Sequence, residues 1–469
     1  MITGKDLIAW GYTPGPWFKA AIERANEALA DGHSEIGVRS ILSGFAPAPA
    51  VTVPRREKGV ELYHCNLLIE NPGDTDNLIA VRDHMDELMR VPTIKAGAVM
   101  PDACPAGSAK GTIPVGGVVA CENAIHPGFH SADICCSMAI SVLGEVASNL
   151  VLNCGMMLSH FGPGGRKIPL DLSPLSEIAD QFNDNPFLNS PQMGSVAQYH
   201  FGTQGDGNHF FYVGRLKSTG EVALVTHHGS RKPGALLYKA GMAVAERSTR
   251  KIAPSVPKHQ AWIVADSQEG QDYWEALQTL RSWTKLNHFA IHDAVAAYLR
   301  CKVKDRFWNE HNFVFQKSDG LFYHAKGATP AYPGFSADTN GLTLIPMNMR
   351  EPILIARGLN APNGLGFAPH GAGRNFSRTK HKSMVDGLIV DGASHEEATG
   401  LPPSLDVRWF SGSPDVSEMP AAYKNAESVR RQIAKFKLCE VVDEVMPYGC
   451  IMGGEFDWRE AGKRLGDLA

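Results

Sequence analysis

Apolar residues recur along the chain at two different spacings, and together these predict a protein of mixed α and β structure. Helical spacing covers Trp17–Ala30 and Leu78–Arg90. A long helix is predicted from Gln271 to about Val303, and a further one from Met419 to Lys437. Between Ala98 and Val142 short apolar runs are separated by glycine, which is typical of packed strands joined by loops.

The same pattern divides the chain unevenly. Residues 1–32 are predicted to form a short N-terminal helical unit, and residues 33–469 one large domain. A proline-rich stretch over residues 45–58 leads into a strand-like run over Val60–Ile69. No linker interrupts the segments with candidate chemistry between residues 100 and 378. We therefore expect an α+β fold, with packed mixed and antiparallel sheets surrounded by helices.

Composition narrows the classes of protein. The 469 residues are 43% hydrophobic and 20% charged, which excludes a disordered, collagen-like or coiled-coil chain. The formal net charge of −4 means that a nucleic acid would have to dock on local basic patches. Nine unevenly spread cysteines, no secretory start and no unbroken apolar stretch of bilayer length predict a cytoplasmic protein with reduced thiols and no membrane partner.

Histidine, cysteine and aspartate are concentrated in a few short segments that follow or precede strand-like runs. Imidazole and thiolate are strong ligands for divalent transition metals. Taken singly, each segment also has a plain structural explanation, such as a turn or a buried cysteine pair, and the dispersed spacing is a weak metal signal. The segments are Ser131–Ser137, Gly205–Phe210, Thr226–Arg231 and Glu310–Asn312.

A fifth segment, Pro369–Arg378, favours a functional explanation over a purely structural one. Its glycines after His370 let backbone amides approach an anion, and its two arginines offer bidentate phosphate contacts. A histidine in that position either binds phosphate or attacks phosphorus as a nucleophile. The alternative is a glycine-rich turn with surface arginines.

Together these segments resemble the RtcB family of RNA-splicing ligases, which join RNA ends carrying 2′,3′-cyclic phosphate or 3′-phosphate to 5′-hydroxyl ends. The resemblance runs in the family's order from Met100-Pro101-Asp102 to Gly453. Several segments in one order are far more specific than any one of them. The remaining motifs are Ile113–Val118, Asp133-x-x-Cys136, Gly207–Phe210, His227-x-Gly229-Ser230-Arg231, His311-Asn312, Lys326–Thr329 and the His370 segment.

The resemblance implies an RtcB-like catalytic domain with two manganese ions. Asp133, Cys136 and His209 would hold one ion, and Cys136, His227 and His311 the other, with the thiolate as a bridge. A thiolate shared by two cations stays deprotonated, and the ions neutralise crowded phosphate oxygens.

The resemblance also implies that His370 attacks the α-phosphorus of GTP and carries GMP, which then activates an RNA 3′-phosphate. Asp102 is a further candidate for moving protons near the metals. RNA ends, from tRNA or other cleaved RNA, are the expected partners, and an archease-type helper is compatible with the family. The residues expected at the nucleotide and its phosphates are Asn208, Ser230, Arg231, Lys326, Gly371, Ala372, Gly373, Arg374 and Arg378.

Several positions depart from the family pattern, and two of them keep other functions open. Tyr212 stands where the family has a glutamate that reads guanine, and Met452 where it has a lysine. Tyrosine cannot accept the paired hydrogen bonds of a carboxylate, and methionine carries no charge, so the base preference is left open. One alternative is a binuclear metal phosphohydrolase that acts on RNA ends without GTP. The other is a non-catalytic RNA-end binding protein, against which the retained ligands and His370 argue.

The N-terminal unit lies outside this resemblance. Gly4-Lys5-Asp6-Leu7 and the following turn resemble a short motif of CCA-adding tRNA nucleotidyltransferases, which implies RNA contact; the alternative is a plain helical cap. Basic residues of Arg374–Lys382 and of the Met419–Lys437 helix are further expected phosphate contacts, although the latter also fits a solvated charged face.

Overall fold

The computed structural model describes residues 1–12, 14, 15, 17–45, 52–58, 63–107, 109–159, 162 and 165–455. The chain divides into two compact units, Met1–Thr52 and Val53–Ala469. The first contains helices α1 (Gly4–Ala9), α2 (Phe18–Ala30) and α3 (Glu35–Phe45). Val38 and Leu42 of α3 share one small core with Ala21 and Ala25 of α2, so this unit includes residues beyond the predicted boundary at residue 32.

The motif Gly4–Leu7 lies in α1. Its Asp6 carboxylate accepts hydrogen bonds from the backbone amide and the hydroxyl of Thr3, at 2.8 and 2.6 Å. These bonds stabilise the first turn of the helix. RNA contact by this motif stays a prediction.

The second unit contains runs of consecutive strands with helices between and after them. Its strands are β1 (Tyr63–Cys65), β2 (Ile94–Cys104), β3 (Val115–Cys121), β4 (Ala124–Ile125), β5 (Cys136–Gly144), β6 (Phe210–Leu216), β7 (Val222–His228), β8 (Ile263–Val264), β9 (Asp305–Gln316), β10 (Phe322–Lys326), β11 (Ala328–Pro330), β12 (Leu342–Ile345), β13 (Ile353–Gly358), β14 (Phe367–Pro369), β15 (Asp406–Trp409) and β16 (Cys439–Met452). Its helices are α4 (Asp74–Leu88), α5 (Pro127–His130), α6 (Ser148–Met157), α7 (Ala179–Asp184), α8 (Pro191–His200), α9 (Arg231–Ile252), α10 (Gln268–Leu299), α11 (Arg378–Val390), α12 (His395–Thr399) and α13 (Ala426–Lys435).

Most of these strands form one large mixed sheet. Among the described residues it has twelve strands in the order β1-β2-β3-β10-β9-β5-β7-β6-β16-β13-β12, with β15 paired to β16. The pairs β1–β2 and β15–β16 are parallel, whereas the central pairs are antiparallel. The expected α+β fold, a large mixed sheet surrounded by helices, is confirmed.

The long helix α10 packs its apolar stripe against this sheet. Leu277, Leu280 and Trp283 are fully buried in the largest core, as the helical spacing predicts. The helix ends at Leu299, before the predicted Val303, because Arg300 adopts a left-handed backbone with φ of 53°.

Two other predicted elements differ from the structure. The prediction of a helix from Met419 was wrong at its start, because Pro420–Ala422 form a short 3₁₀ turn and Asn425 caps α13 by accepting from the Ser428 amide. Of the strand-like run Val60–Ile69, residues 60–62 lie outside the described residues, and β1 covers only Tyr63–Cys65. In the described part of the chain, no helix has both the length and the apolar character needed to cross a bilayer.

Candidate metal and histidine site

Four neighbouring strands at the centre of the sheet carry the candidate ligands. Cys136 begins β5, His227 lies near the end of β7, His311 lies in β9, and His209 directly precedes β6. Because these strands are adjacent in the order β9-β5-β7-β6, ligands far apart in sequence meet at one place. The sheet therefore brings together residues that the sequence scatters over 175 positions, from Cys136 to His311.

A β-bulge in β9 directs the His311 side chain toward the other candidate ligands. Cys136 pairs with Asn312 and Ser137 pairs with Glu310, so one step along β5 matches two steps along β9 and leaves His311 as the extra residue. Bulges of this kind redirect a side chain locally. The register of β9 against β5 therefore places His311 beside His227.

The turn that carries Asp133 is stabilised by a hydrogen bond from Ser230. Ser131 and Cys135 adopt left-handed backbone with φ of 64° and 57°, and the Ser230 hydroxyl donates to the Ile134 carbonyl at 2.6 Å. Asp133 lies so close to Gly229 that a Cβ there would be 2.2 Å from its carboxylate oxygen. The glycine is needed for this approach and not for its backbone angles.

The candidate ligand atoms form a continuous chain of short distances. Cys136 Sγ lies 3.1 Å from His227 Nε2 and 3.5 Å from His209 Nε2. His227 Nε2 lies 3.2 Å from His311 Nε2, and Asp133 Oδ2 lies 3.5 Å from His209 Nε2. Cys136, His209 and His227 form a group whose ligand atoms all lie within 4.8 Å of one another.

This donor set fits divalent transition metals. Burial lowers the pKa of His227 to about 3 and also lowers the pKa of His311, so both rings are neutral and can offer a lone pair. His227 Nδ1 is 3.0 Å from the Asn208 carbonyl, which favours a proton on Nδ1 and leaves Nε2 free. Burial, followed by the charge of Asp133, raises the pKa of the Cys136 thiol, so a cation is needed to hold the thiolate. How the ligands divide between two ions stays a prediction.

His370 lies beside this group and is oriented by Asp102. Its Nδ1 is 2.7 Å and its backbone amide 3.1 Å from Asp102 Oδ2. Asp102 is fully buried, and the rings of His370 and His311 have centroids 5.0 Å apart. A proton on Nδ1 that is donated to the carboxylate leaves Nε2 as an unprotonated nucleophile.

A buried lysine holds the segment that carries Asp102. Lys424 is 7% exposed, and its ammonium donates to the carbonyls of Pro101 and Ala103, at 3.1 and 2.7 Å, on either side of Asp102. Its backbone amide donates to the Gly373 carbonyl, three residues after His370. Lys424, which lies between the 3₁₀ turn and α13, thus connects the strand that carries Asp102 to the loop that carries His370.

Replacing this lysine is expected to disturb that arrangement. Lys424→Met removes the ammonium donor from the Pro101 carbonyl and leaves the Ala103 carbonyl with only the Asn77 side-chain amide. We expect the large unit to lose about 2 kcal/mol of free energy of unfolding. Urea unfolding followed by tryptophan fluorescence measures the change. The matched control is Lys435→Met, at an exposed position of α13. Equal stability of the two variants would show that Lys424 does not hold this segment.

The site opens into a cavity of about 670 Å³. Its lining includes Asp133, Cys136, His227, His311 and His370, and of the expected nucleotide contacts it includes Asn208, Lys326, Gly371, Ala372, Gly373, Arg374 and Arg378. Ser230 and Arg231 are not among the lining residues. The Ser230 hydroxyl is used within the Asp133 turn, and Arg231 Nη1 is 3.2 Å from His209 Nδ1. Their role at a phosphate stays a prediction.

The two arginines of the His370 segment already have a protein partner. Glu418 is buried, and its carboxylate pairs with Arg374 at 2.7 Å and with Arg378 at 2.8 Å. The Tyr423 hydroxyl donates to the same carboxylate at 2.6 Å. An anion in the cavity would therefore meet arginines whose charge is partly neutralised. Likewise, on α13, Arg430 pairs with Glu444 and Arg431 with Glu70.

A network of buried polar side chains lies between α10 and the strands that carry the candidate ligands, on the face of the sheet opposite the cavity. Thr226 Oγ1 lies 2.6 Å from His288 Nδ1 and 2.8 Å from His292 Nε2, both on α10. The rings of His228 and His288 stack with centroids 3.5 Å apart. Sequence analysis missed this network, together with Lys424 and Glu418. For the network, the sequence offers one signal: His288 and His292 are four residues apart, which places both on the same face of α10.

A methyl group at Gly229 is expected to weaken metal binding without removing a ligand. Gly229→Ala forces the Asp133 carboxylate away, and we expect Mn²⁺ affinity to fall by about 10-fold or more. Titration of the metal-free protein with Mn²⁺, followed by calorimetry, measures this. Gly194→Ala is the control, because a Cβ at that helical position meets no atom within 4 Å. Unchanged affinity in Gly229→Ala would mean that Asp133 is not a ligand.

Fold and site together define a candidate metal centre with an adjacent histidine–aspartate pair, built on the central strands of a mixed sheet. A family model described as "tRNA-splicing ligase RtcB" matches residues 176–453, and the chain belongs to the RtcB family. Asp102, Asp133 and Cys136 precede the matched residues.

Three relatives that the chain matches are distant from it in sequence. The chain is 24% identical over 269 residues to RNA-splicing ligase RtcB of Escherichia coli K12, covering 54% of this chain and 61% of the relative. It is 28% identical over 291 residues to tRNA-splicing ligase RtcB of Archaeoglobus fulgidus, covering 54% and 59%. The corresponding protein of Thermococcus kodakarensis is 25% identical over 335 residues, covering 63% and 65%. The chain thus spans about six tenths of the length of each of these three relatives.

Proposed function

We propose that the protein is a metal-dependent RNA ligase that joins 2′,3′-cyclic phosphate or 3′-phosphate ends to 5′-hydroxyl ends. The observation that carries the proposal is the pairing of His370 with buried Asp102 beside the Cys136–His227–His311 group. A nucleophile oriented in this way, next to candidate ligands for cations that neutralise phosphate, suits nucleotide transfer. The names of the relatives support RNA as the substrate.

In the proposed reaction His370 Nε2 attacks the α-phosphorus of a nucleoside triphosphate, GTP in the first instance. A P–N bond forms, the bond to the β-phosphate breaks and pyrophosphate leaves, while Asp102 accepts the hydrogen bond from Nδ1. A 2′,3′-cyclic phosphate end is first opened by water, whose oxygen bonds to phosphorus while the P–O2′ bond breaks and the 2′-oxygen takes up a proton. An oxygen of the RNA 3′-phosphate then attacks the phosphorus of the nucleotide, and the P–N bond to His370 breaks. The 5′-hydroxyl of the second RNA attacks the activated 3′-phosphate, loses its proton, and displaces the nucleoside monophosphate.

Asp133, Cys136, His209, His227 and His311 would hold the metal, which we propose to be a pair of Mn²⁺ ions. When bound, such ions supply positive charge to the phosphate oxygens around the reacting phosphorus. Asn208 has its backbone carbonyl bound to His227, so its side chain is available to the cavity that it lines. Lys326, which also lines the cavity, is the proposed lysine contact to the phosphates.

A binuclear metal phosphohydrolase is the second candidate. It is favoured by Tyr212 and Met452, which line the cavity and offer no charged group to guanine. A hydrolase would use the same cations to activate water against an RNA cyclic phosphate, with no nucleotide on His370.

One assay separates the candidates. The full chain is incubated with Mn²⁺, labelled nucleoside triphosphate, an RNA with a 2′,3′-cyclic phosphate end and an RNA with a 5′-hydroxyl end. Joined RNA that requires the triphosphate supports the ligase. Opening of the cyclic phosphate without joined RNA and without labelled protein supports the hydrolase and contradicts the ligase. An archease-type helper is tested by repeating the assay with one added.

A further inference from the structure

One side of the cavity is formed by apolar side chains from three separate segments. We call it the apolar wall, and it consists of Phe210, Tyr212, Met347, Met349, Ile353 and Met452. All of these except Phe210 are at most 7% exposed. Tyr212, Met349, Ile353 and Met452 belong to one core cluster, against which Phe210 packs, and Met347 belongs to the neighbouring largest core. The wall is therefore a packed, preformed surface.

The apolar wall adjoins the reacting groups. The Phe210 ring lies 5.2 Å from the ring of His227, and the Tyr212 ring 6.2 Å from that of Phe210. On the other side, Gly371 approaches Pro346 so closely that a Cβ would lie 2.9 Å from its carbonyl oxygen. Met347 follows Pro346, so the wall is within a nucleotide's length of His370.

Two polar atoms on this side of the cavity already have partners inside the protein. The Tyr212 hydroxyl donates to the Val445 carbonyl at 3.1 Å. The side-chain oxygen of Asn348, which lies between the two wall methionines, accepts from the amides of Arg350 and Glu351 at 2.9 and 3.1 Å. Among the described residues, no lining side chain from β6, residues 346–353 or β16 is charged.

Such a surface suits the flat face of an aromatic ring but not a polar edge. Methionine and aromatic side chains pack well against a planar ring. Guanine presents a carbonyl and two N–H groups on its pairing edge, and each group left without a partner in a closed site costs binding free energy. Adenine has fewer such groups to leave unpaired.

We propose that the apolar wall holds the base of the nucleoside triphosphate by its face and not by its hydrogen-bonding edge, so that adenine is accepted at least as well as guanine. This inference rests on the proposed function, because it concerns the nucleotide that would be transferred to His370. On this proposal the protein recognises the phosphates of the nucleotide and the flat face of its base, and does not distinguish bases by their hydrogen-bonding edges.

The test compares ATP and GTP with the full chain in Mn²⁺. Labelling of the protein by the two α-labelled nucleotides at equal concentration is expected to give an ATP-to-GTP ratio of one or more. Calorimetric binding of the α,β-methylene analogues of both nucleotides gives a second readout that needs no transfer. Stronger labelling and binding by the guanine compounds would overturn the inference and leave the ligase intact.

A substitution in the wall makes the test sharper. Met452→Lys introduces a donor for O6 and N7 of guanine, and we expect it to shift the ratio of analogue affinities toward guanine by about 10-fold. Met452→Leu keeps the wall apolar and is expected to keep the wild-type ratio. An unchanged ratio in Met452→Lys would place the base elsewhere and overturn the assignment. Analogue binding without labelled protein or joined RNA would instead contradict the proposed function.

Discussion

His370→Ala is expected to abolish labelling of the protein by α-labelled nucleoside triphosphate, with a loss of at least about 1,000-fold. Alanine removes the imidazole that would form the P–N bond, and the protein offers no equivalent group at the same distance from Asp102 among the described contacts. Acid-labile, alkali-stable label on the wild-type chain, measured after gel separation, is the readout. Joining of RNA ends should be lost in parallel.

The matched control is His64→Ala, because His64 is exposed on β1 and is not among the cavity residues. Its label should equal that of the wild type. Label that persists in His370→Ala would place the nucleotide on another residue. Both variants should bind the same amount of Mn²⁺, since His370 is not one of the proposed ligands.

Cys136→Ala is expected to empty both proposed metal positions. The Cys136 sulfur lies 3.1 and 3.5 Å from the nitrogens of His227 and His209, so one substitution removes the atom shared by the two ligand sets. Elemental analysis of protein loaded with Mn²⁺ should fall from about two ions per chain to near zero. Nucleotide labelling of His370 should fall with it.

Cys154→Ala is the control for this change, because Cys154 is an equally buried cysteine of α6 that packs in a separate core. It should retain the full metal content. If Cys136→Ala kept nearly normal occupancy at both positions, the bridging role would be excluded. Loss of one ion only would assign Cys136 to a single position.

Local sequence patterns predicted the elements whose formation depends mainly on residues close together in the chain. The spacing of Leu277, Leu280 and their neighbours predicts α10 because one apolar stripe must face the sheet. Its end was misjudged because the apolar pattern does not register the left-handed Arg300. The predicted helix from Met419 failed in the same way, since its start is set by Pro420 and the Asn425 cap.

The sequence singled out the residues of the candidate site but not how the fold assembles them, and metal binding and nucleotide transfer at the site stay predictions. Motif order singled out His370 and the Cys136 group, and the structure brings them together. The bulge at His311 depends on the pairing of two strands, which the sequence does not display. The ammonium of Lys424 contacts Ala103 from 321 residues away, so no local spacing could have revealed it.

The strand register of the sheet has a consequence for how far such a sequence can diverge. His227 faces the cavity, while Thr226 and His228 face α10, so a slip of one residue in β7 would exchange ligand and support. Insertions and deletions can therefore accumulate in connecting loops but not within β5, β7 or β9. A relative that keeps only a quarter of its residues in common can still keep the same ligand set, provided that the central strands do not change length.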